Sequence, residues 1–203
     1  VNWKVSLMSL QCFASDGDGF LSDELEALDY ALMMRKRGVN LKVINASFGS
    51  YDFFFFEKEA IEELGNWGIL FSIAAGNENS NLDDLPSYPA SYDLSNIIVV
   101  GAVDRWGEIA NFSNYSVNQV HVGAPGVSIY STIPGGYGEM SGTSMAAPYV
   151  AGVAALLLSQ NPSLSPSSLR KIIIENYEPL PTLAGSFMSP GIVNAYNSLL
   201  AVE

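Results

Sequence analysis

Cationic residues are scarce in this chain. Nine lysines and arginines stand against 21 aspartates and glutamates, a formal net charge of −12 at pH 7. That balance excludes nucleic acids and anionic membrane surfaces as partners, because their phosphates call for basic side chains. Cysteine is nearly absent. The single Cys12 excludes an internal disulfide, and its apolar setting predicts a buried, unreactive thiol. Histidine is equally rare, with His121 the only imidazole in the sequence. No apolar segment reads as long enough to cross a membrane, so no spanning helix is expected. No cleavable leader is visible, and the chain opens abruptly in an apolar stretch. An N-terminal portion upstream of residue 1 is therefore expected.

What is present is a globular composition, 48% hydrophobic and 15% charged over 203 residues. That length is enough for one domain with a sizeable core. No repeat, linker or boundary divides residues 1–203. Val5–Phe13, Leu41–Ser47, Ile69–Ala75 and Ile97–Ala102 read as strands. Helices are expected from an N-capping Ser22 to about Lys36, over Glu57–Asn66, from Ser144 to about Leu158, after Ser165-Pro166, and over Ile192–Leu200. Strands of continuous apolar character alternating with helices indicate an α/β fold, a mostly parallel sheet covered on both faces. Sites in such sheets lie at the carboxyl ends of the strands. Ser47-Phe48-Gly49 and Gly76-Asn77 both fall there.

The stretch with most chemistry is Gly138–Ala155. A glycine-rich polar approach ends at Thr143-Ser144, and a run of small apolar residues follows, the pattern of a buried helix. Ser144 thus sits where a loop enters a helix. Unpaired N–H groups and the positive end of the helix dipole gather there. A serine oxygen so placed can attack a carbonyl, and backbone donors can hold the oxyanion that forms. Asn77 follows a strand and a glycine. Its amide can either satisfy a tight turn or donate to an oxyanion.

Two further stretches stand out. Asp16-Gly17-Asp18-Gly19 invites a calcium reading, but the EF-hand spacing fails, since Ala14 and Leu25 would fall at the first and last ligand positions. No metal ligand is assigned. Tyr51–Phe56 carries four consecutive phenylalanines. They cannot all face one core, so part of the run is expected to be an exposed contact surface.

Gly142-Thr-Ser-Met-Ala-Ala-Pro148 resembles the nucleophile motif of the subtilisin-like serine proteases, the subtilases. Val43–Gly49, Ala74–Glu78, Ser87–Ala90 with Ile98–Val103, Ala124–Val127 and Gly191–Ala195 resemble further motifs of that family, in its order. The resemblance implies a three-layer, doubly wound sheet and peptide hydrolysis, with Ser144 as nucleophile and Asn77 as oxyanion donor. Ser47, Phe48 and Gly49 would border an extended substrate. Ala75, Gly76 and Ser87 would wall the pocket for the side chain before the scissile bond, with Glu78 near its mouth favouring a basic or neutral side chain. No cofactor is implied. Structural calcium is a family property for which the sequence resolves no site. The implied partners are a peptide or protein substrate, a prosegment packing near Tyr51–Phe56, and the remainder of the domain. Secretion is the family's expectation. The family's Asp-Ser/Thr-Gly and His-Gly-Thr motifs do not occur here. His121 lies in a strand where subtilases carry no catalytic residue. The chain thus resembles the C-terminal two-thirds of a catalytic domain, its sheet truncated on the N-terminal side. It is expected to be inactive alone. The alternative reading is a non-catalytic subtilase-like module that binds peptides or a partner.

Overall fold

A computed structural model of the chain describes residues 2–14 and 19–202. Its centre is a parallel sheet of β1 (Val43–Ala46), β2 (Leu70–Ala74), β3 (Ile97–Val103) and β4 (Val122–Pro125). The short β8 (Gly191–Ile192) joins β4 in parallel, and β7 (Glu178–Pro179) pairs antiparallel with β8. Between β4 and the next helix lies a separate antiparallel hairpin of β5 (Ile129–Ile133) and β6 (Gly136–Met140).

Side-chain alternation divides the core in two. On β3, Ile97, Val99 and Val103 face the layer of α1 (Leu21–Lys36) and α2 (Phe55–Asn66). Ile98, Val100 and Ala102 face the layer of α3 (Thr143–Gln160) and α4 (Pro166–Glu175). This is the three-layer α/β arrangement expected from the continuous apolar strands. α5 (Ala195–Leu200) closes the described chain against α3.

α3 lies directly on the sheet because its buried residues are mostly small: Thr143, Ala146, Ala147, Val150, Val153, Ala154 and Leu157. Truncating a fully buried leucine such as Leu157 costs about 2–5 kcal/mol. With 18 residues, α3 is long and apolar enough by length and composition to cross a membrane. This corrects the expectation that no segment reaches that length. Here its apolar character serves packing against β1–β4. Pro148 sits inside the helix and has no N–H to donate to the Ser144 carbonyl four residues back. That carbonyl instead accepts the Ser47 hydroxyl at 2.9 Å.

Several local expectations are corrected. Val5–Phe13 forms no ladder. Beyond a single bridge between Phe13 and Gly19, it carries no regular structure, and Leu7 lies in solvent. Its apolar run suits a buried strand, but a strand exists only where another edge satisfies its N–H and C=O groups. Cys12 is a half-buried free thiol, not a buried one. α1 begins at Leu21 with Phe20 at the cap position, so Ser22 lies inside the first turn. The last helix starts at Ala195 behind an Asn194 cap, because Ile192 is taken up by β8. Ser165 caps α4 as expected, accepting the Ser168 N–H at 3.1 Å. Tyr51, Phe53, Phe55 and Phe56 are exposed. Asp16 and Asp18 lie outside the described residues. Among the described residues no three His, Cys, Asp or Glu side chains gather around one metal position.

Candidate active site

Three segments meet at the carboxyl edge of the sheet: the end of β1, the end of β2 and the start of α3. Ser144 is held to the first by reciprocal bonds. Its Oγ donates to the Ser47 carbonyl at 3.2 Å, and Ser47 Oγ donates back to the Ser144 carbonyl. Asn45 fixes the Ser47 hydroxyl through an Nδ2–H bond of 2.8 Å.

Asn77 is held by Thr143, the residue before the serine. Its Oδ1 accepts the Thr143 N–H at 2.8 Å and the Thr143 hydroxyl at 3.1 Å. Thr143 Oγ1 in turn accepts the Gly76 N–H at 3.1 Å. The amide orientation is therefore set by its oxygen. Nδ2 makes no hydrogen bond among the described residues, and neither does the backbone N–H of Ser144. Two donors thus remain available beside the serine, at the N-terminus of a long helix.

Asn114, which sequence reasoning missed, braces the turn that carries Asn77. It is fully buried. Its Oδ1 accepts the N–H groups of Glu78 and Ser80, and its Nδ2 donates to the Ala75 carbonyl and to Glu78 Oε2 at 2.7 Å. Gly76 has φ +101°, a region that favours glycine, and a Cβ there would fall 2.6 Å from Glu78 Oε2. Within the polar run Asn111–Gln119 nothing local distinguishes Asn114. Only the fold brings it under residues 75–80.

The other predicted residues divide. Phe48 and Gly49 continue from Ser47, and their main chain makes no hydrogen bond among the described residues. Ser87 lies against Gly49, whose Cβ, if present, would meet Ser87 Oγ at 3.2 Å. Gly76 stands with Thr143 and Asn77. The Ala75 methyl points into the core beside Phe71 and Ile73, so only its main chain belongs to this edge. The Glu78 carboxylate is engaged by Asn114 rather than free.

His121 is not among them. It is buried, with Nδ1 accepting the Val99 N–H at 2.8 Å and Nε2 at 2.6 Å from Arg170 Nη2. Burial, and then the Arg170 charge, push its pKa down to about 3, so the ring is neutral. The hydroxyl of Ser144 therefore has a carbonyl for its partner and no imidazole.

A three-layer α/β protein with a serine at a helix N-terminus and an oriented amide beside it is the class that fold and site define. Comparison with known proteins gives the family. The Subtilase family model of peptidase S8 matches residues 1–191, and the chain belongs to that family. It is 38% identical over 194 residues to the thermophilic serine proteinase of Bacillus sp. (strain AK1), covering 95% of this chain and 45% of that protein. It is 40% identical over 168 residues to subtilisin DY of Bacillus licheniformis, covering 82% and 58%. A solved protease structure from Pseudoalteromonas arctica PAMC 21717 superposes with a TM-score of 0.79 at 30% identity, over 91% of this chain and 60% of that one. The chain thus spans about half the length of the curated relatives it matches.

Proposed function

We propose that this chain supplies the nucleophile half of a subtilisin-type serine endopeptidase. In this reading Ser144 Oγ attacks the peptide carbonyl. The Asn77 Nδ2–H and the Ser144 N–H hold the oxyanion. The substrate lies as an added strand along Ser47-Phe48-Gly49, and Gly76 and Ser87 flank the side chain before the scissile bond, with the Ala75 main chain between them. The observation that carries it is the anchoring of the Asn77 oxygen by Thr143, which leaves the amide donor free next to the serine.

A serine hydroxyl is a weak nucleophile near neutral pH without a base. Ser144 Oγ donates to a carbonyl, and His121 is committed elsewhere. We therefore assign the base and its orienting carboxylate to a portion of the domain outside residues 1–203. The prosegment, when there is one, would meet the exposed Tyr51–Phe56 face, and an extracytoplasmic location goes with this reading. The same Ser144–Ser47 bond favours the second reading, a module that binds peptide without cleaving it.

The test is to assay the purified chain with a chromogenic peptide and a fluorophosphonate, alone and mixed with an N-terminal piece carrying the Asp-Ser/Thr-Gly and His-Gly-Thr motifs. The proposal expects no protease-like turnover alone, and turnover with Ser144 labelling in the mixture. An inert mixture would favour the binding module. Turnover by the chain alone that vanishes in His121→Ala would make His121 the base.

A further inference from the structure

A second concavity opens beside the same edge of the sheet, with a volume of about 240 Å³. The first turn of α1 forms one side of it, and Phe48, Gly49 and Ser50 form the other. Two carboxyl groups meet inside: Glu24 from α1 and Glu57 from α2.

This pair is chemically unusual. Glu57 is only 3% exposed. Its Oε2 accepts the Tyr92 hydroxyl at 2.6 Å, and it hydrogen-bonds the Glu24 carboxyl. Glu24 Oε1 is buried and finds no N–H or hydroxyl donor among the described residues. Two carboxylates offer each other only acceptors, so their bond exists only while a proton lies in it. Burial, and then the Glu57 charge, hold the Glu24 carboxyl far above its ordinary range, so the pair keeps that proton at neutral pH. The surroundings bring no cation. The N-terminal segment contributes the Cys12 thiol, which burial and then Glu24 push up. Residues 88–92 contribute Tyr88 and Tyr92, and burial and then Glu57 keep the Tyr92 hydroxyl a donor into alkali. Residues 48–54 line the cavity with no titratable group, and the helices add only the two glutamates. Asp23, beside Glu24 on α1, is exposed.

The contact ties down a weakly held piece of helix. Phe20 gives α1 no side-chain cap, and residues 21–27 include no buried side chain. Burial begins at Leu28 and continues at Ala31, and Arg35 Nε fixes the far end by donating to the Trp67 carbonyl at 3.0 Å. The first two turns can therefore part from α2 while the rest of α1 stays docked.

We infer that the Glu24–Glu57 contact is a pH-operated latch on the first two turns of α1, its bearing on the substrate strand resting on the endopeptidase reading. A proton between the carboxyls holds it shut. In alkali that proton passes to solvent base, both groups become carboxylates, and like charge in a dry joint drives the turns away from α2 into water. Phe48, Gly49 and Ser50 then lose the opposite side of their cavity. The closed form holds one proton that the open form has released. The opening constant therefore rises about 10-fold per pH unit between the ordinary carboxyl range and the raised one.

Hydrogen exchange of the chain itself, from about pH 6 to about pH 9 and corrected for intrinsic rates, tests this. Peptides covering residues 21–27 are expected to be less protected than β2 and β3 at every pH, and to lose protection about 10-fold per pH unit. In Glu24→Gln the profile is flat, and in Glu57→Gln its slope falls. Both changes are isosteric, and circular dichroism reports whether each variant folds. Glu26→Gln, an exposed change of the same charge on the same helix, keeps the wild-type slope. Protection of residues 21–27 that equals that of β2 and β3, that ignores pH, or that still falls in a folded Glu24→Gln would each overturn the latch. In the mixture with the N-terminal piece, KM should rise toward the alkaline end in the wild type and stay level in Glu24→Gln; equal profiles would overturn its bearing on the substrate strand. The exchange does not depend on Ser144, whereas fluorophosphonate labelling does, so failure of the latch and failure of the endopeptidase reading are told apart.

Discussion

The two concavities at the sheet edge are built on opposite principles. Around Ser144 the anchoring side chains are neutral hydroxyls and amides, each held in a network of hydrogen bonds. Asn77 Oδ1 takes two Thr143 donors, and Asn114 makes four bonds at once. Between Glu24 and Glu57 the groups are ionisable and one oxygen is left over. The bonds among Ser144, Ser47, Asn77 and Thr143 involve no titrating group, so their geometry does not change with pH in the working range. A pair of buried carboxyls changes state with its proton. The first arrangement suits a step that needs fixed positions, and the second suits a response to pH.

The largest effect is expected on the rigid side. Ser144→Ala should abolish fluorophosphonate labelling and turnover in the mixture with the N-terminal piece, leaving at most a residual acceleration of about 10³–10⁴ over water. Asn77→Ala should lower kcat in the same mixture by about 10²–10³-fold, with KM little changed, the magnitude already established for the oxyanion amide of a subtilisin. A pure rise in KM would move Asn77 from transition-state stabilisation to ground-state binding.

The next prediction sharpens the role of the brace. Asn114→Ala leaves the N–H groups of Glu78 and Ser80 and the buried Ala75 carbonyl short of partners. It should cost about 1–3 kcal/mol of stability, read by urea denaturation. Ser80→Ala, whose hydroxyl donates at 3.3 Å from the loop surface, should cost less than about 1 kcal/mol. Equal losses from both would show that the turn does not depend on its buried asparagine.

The last effect lies on the responsive side, and it is a slope. Glu24 ordinarily titrates near 4.5 and is raised to about 9 in the folded chain by burial and then by Glu57. Between those values the folded state keeps a proton that the unfolded state has released. Stability therefore falls as pH rises through that window. Glu24→Gln should flatten the fall. Its Tm should match the wild type near pH 4.5 and exceed it near pH 9, by roughly 2–4 °C for each kcal/mol recovered. A wild-type Tm that rises across this window would break the contrast between the two concavities.

The sheet, the layers and the Ser144 helix were legible because they rest on periodicity and on one contiguous motif. Ile97–Val103 could hardly be anything but a central strand, and Pro148 with its small neighbours marked a buried helix. The anchoring of Asn77 was half legible. Its position after Gly76 suggested a donor, but its partner Thr143 lies 66 residues away. Asn114, 36 residues from the turn it braces, left no local trace. The carboxyl cavity was invisible for the same reason: Glu24 and Glu57 each read as ordinary acidic residues in a first helical turn, and only the packing of α1 on α2 brings them together. Val5–Phe13 misled in the opposite direction, since its apolar run is real while no strand pairs with it among the described residues.

The proline inside α3 has a mechanical consequence. By withholding an amide from the Ser144 carbonyl, Pro148 leaves that carbonyl to a hydroxyl 97 residues away on the loop after β1. The serine is thereby tethered at both ends to Ser47, through its side chain and its main chain. A displacement of the Ser47 loop would therefore be passed directly to Ser144 at the helix tip.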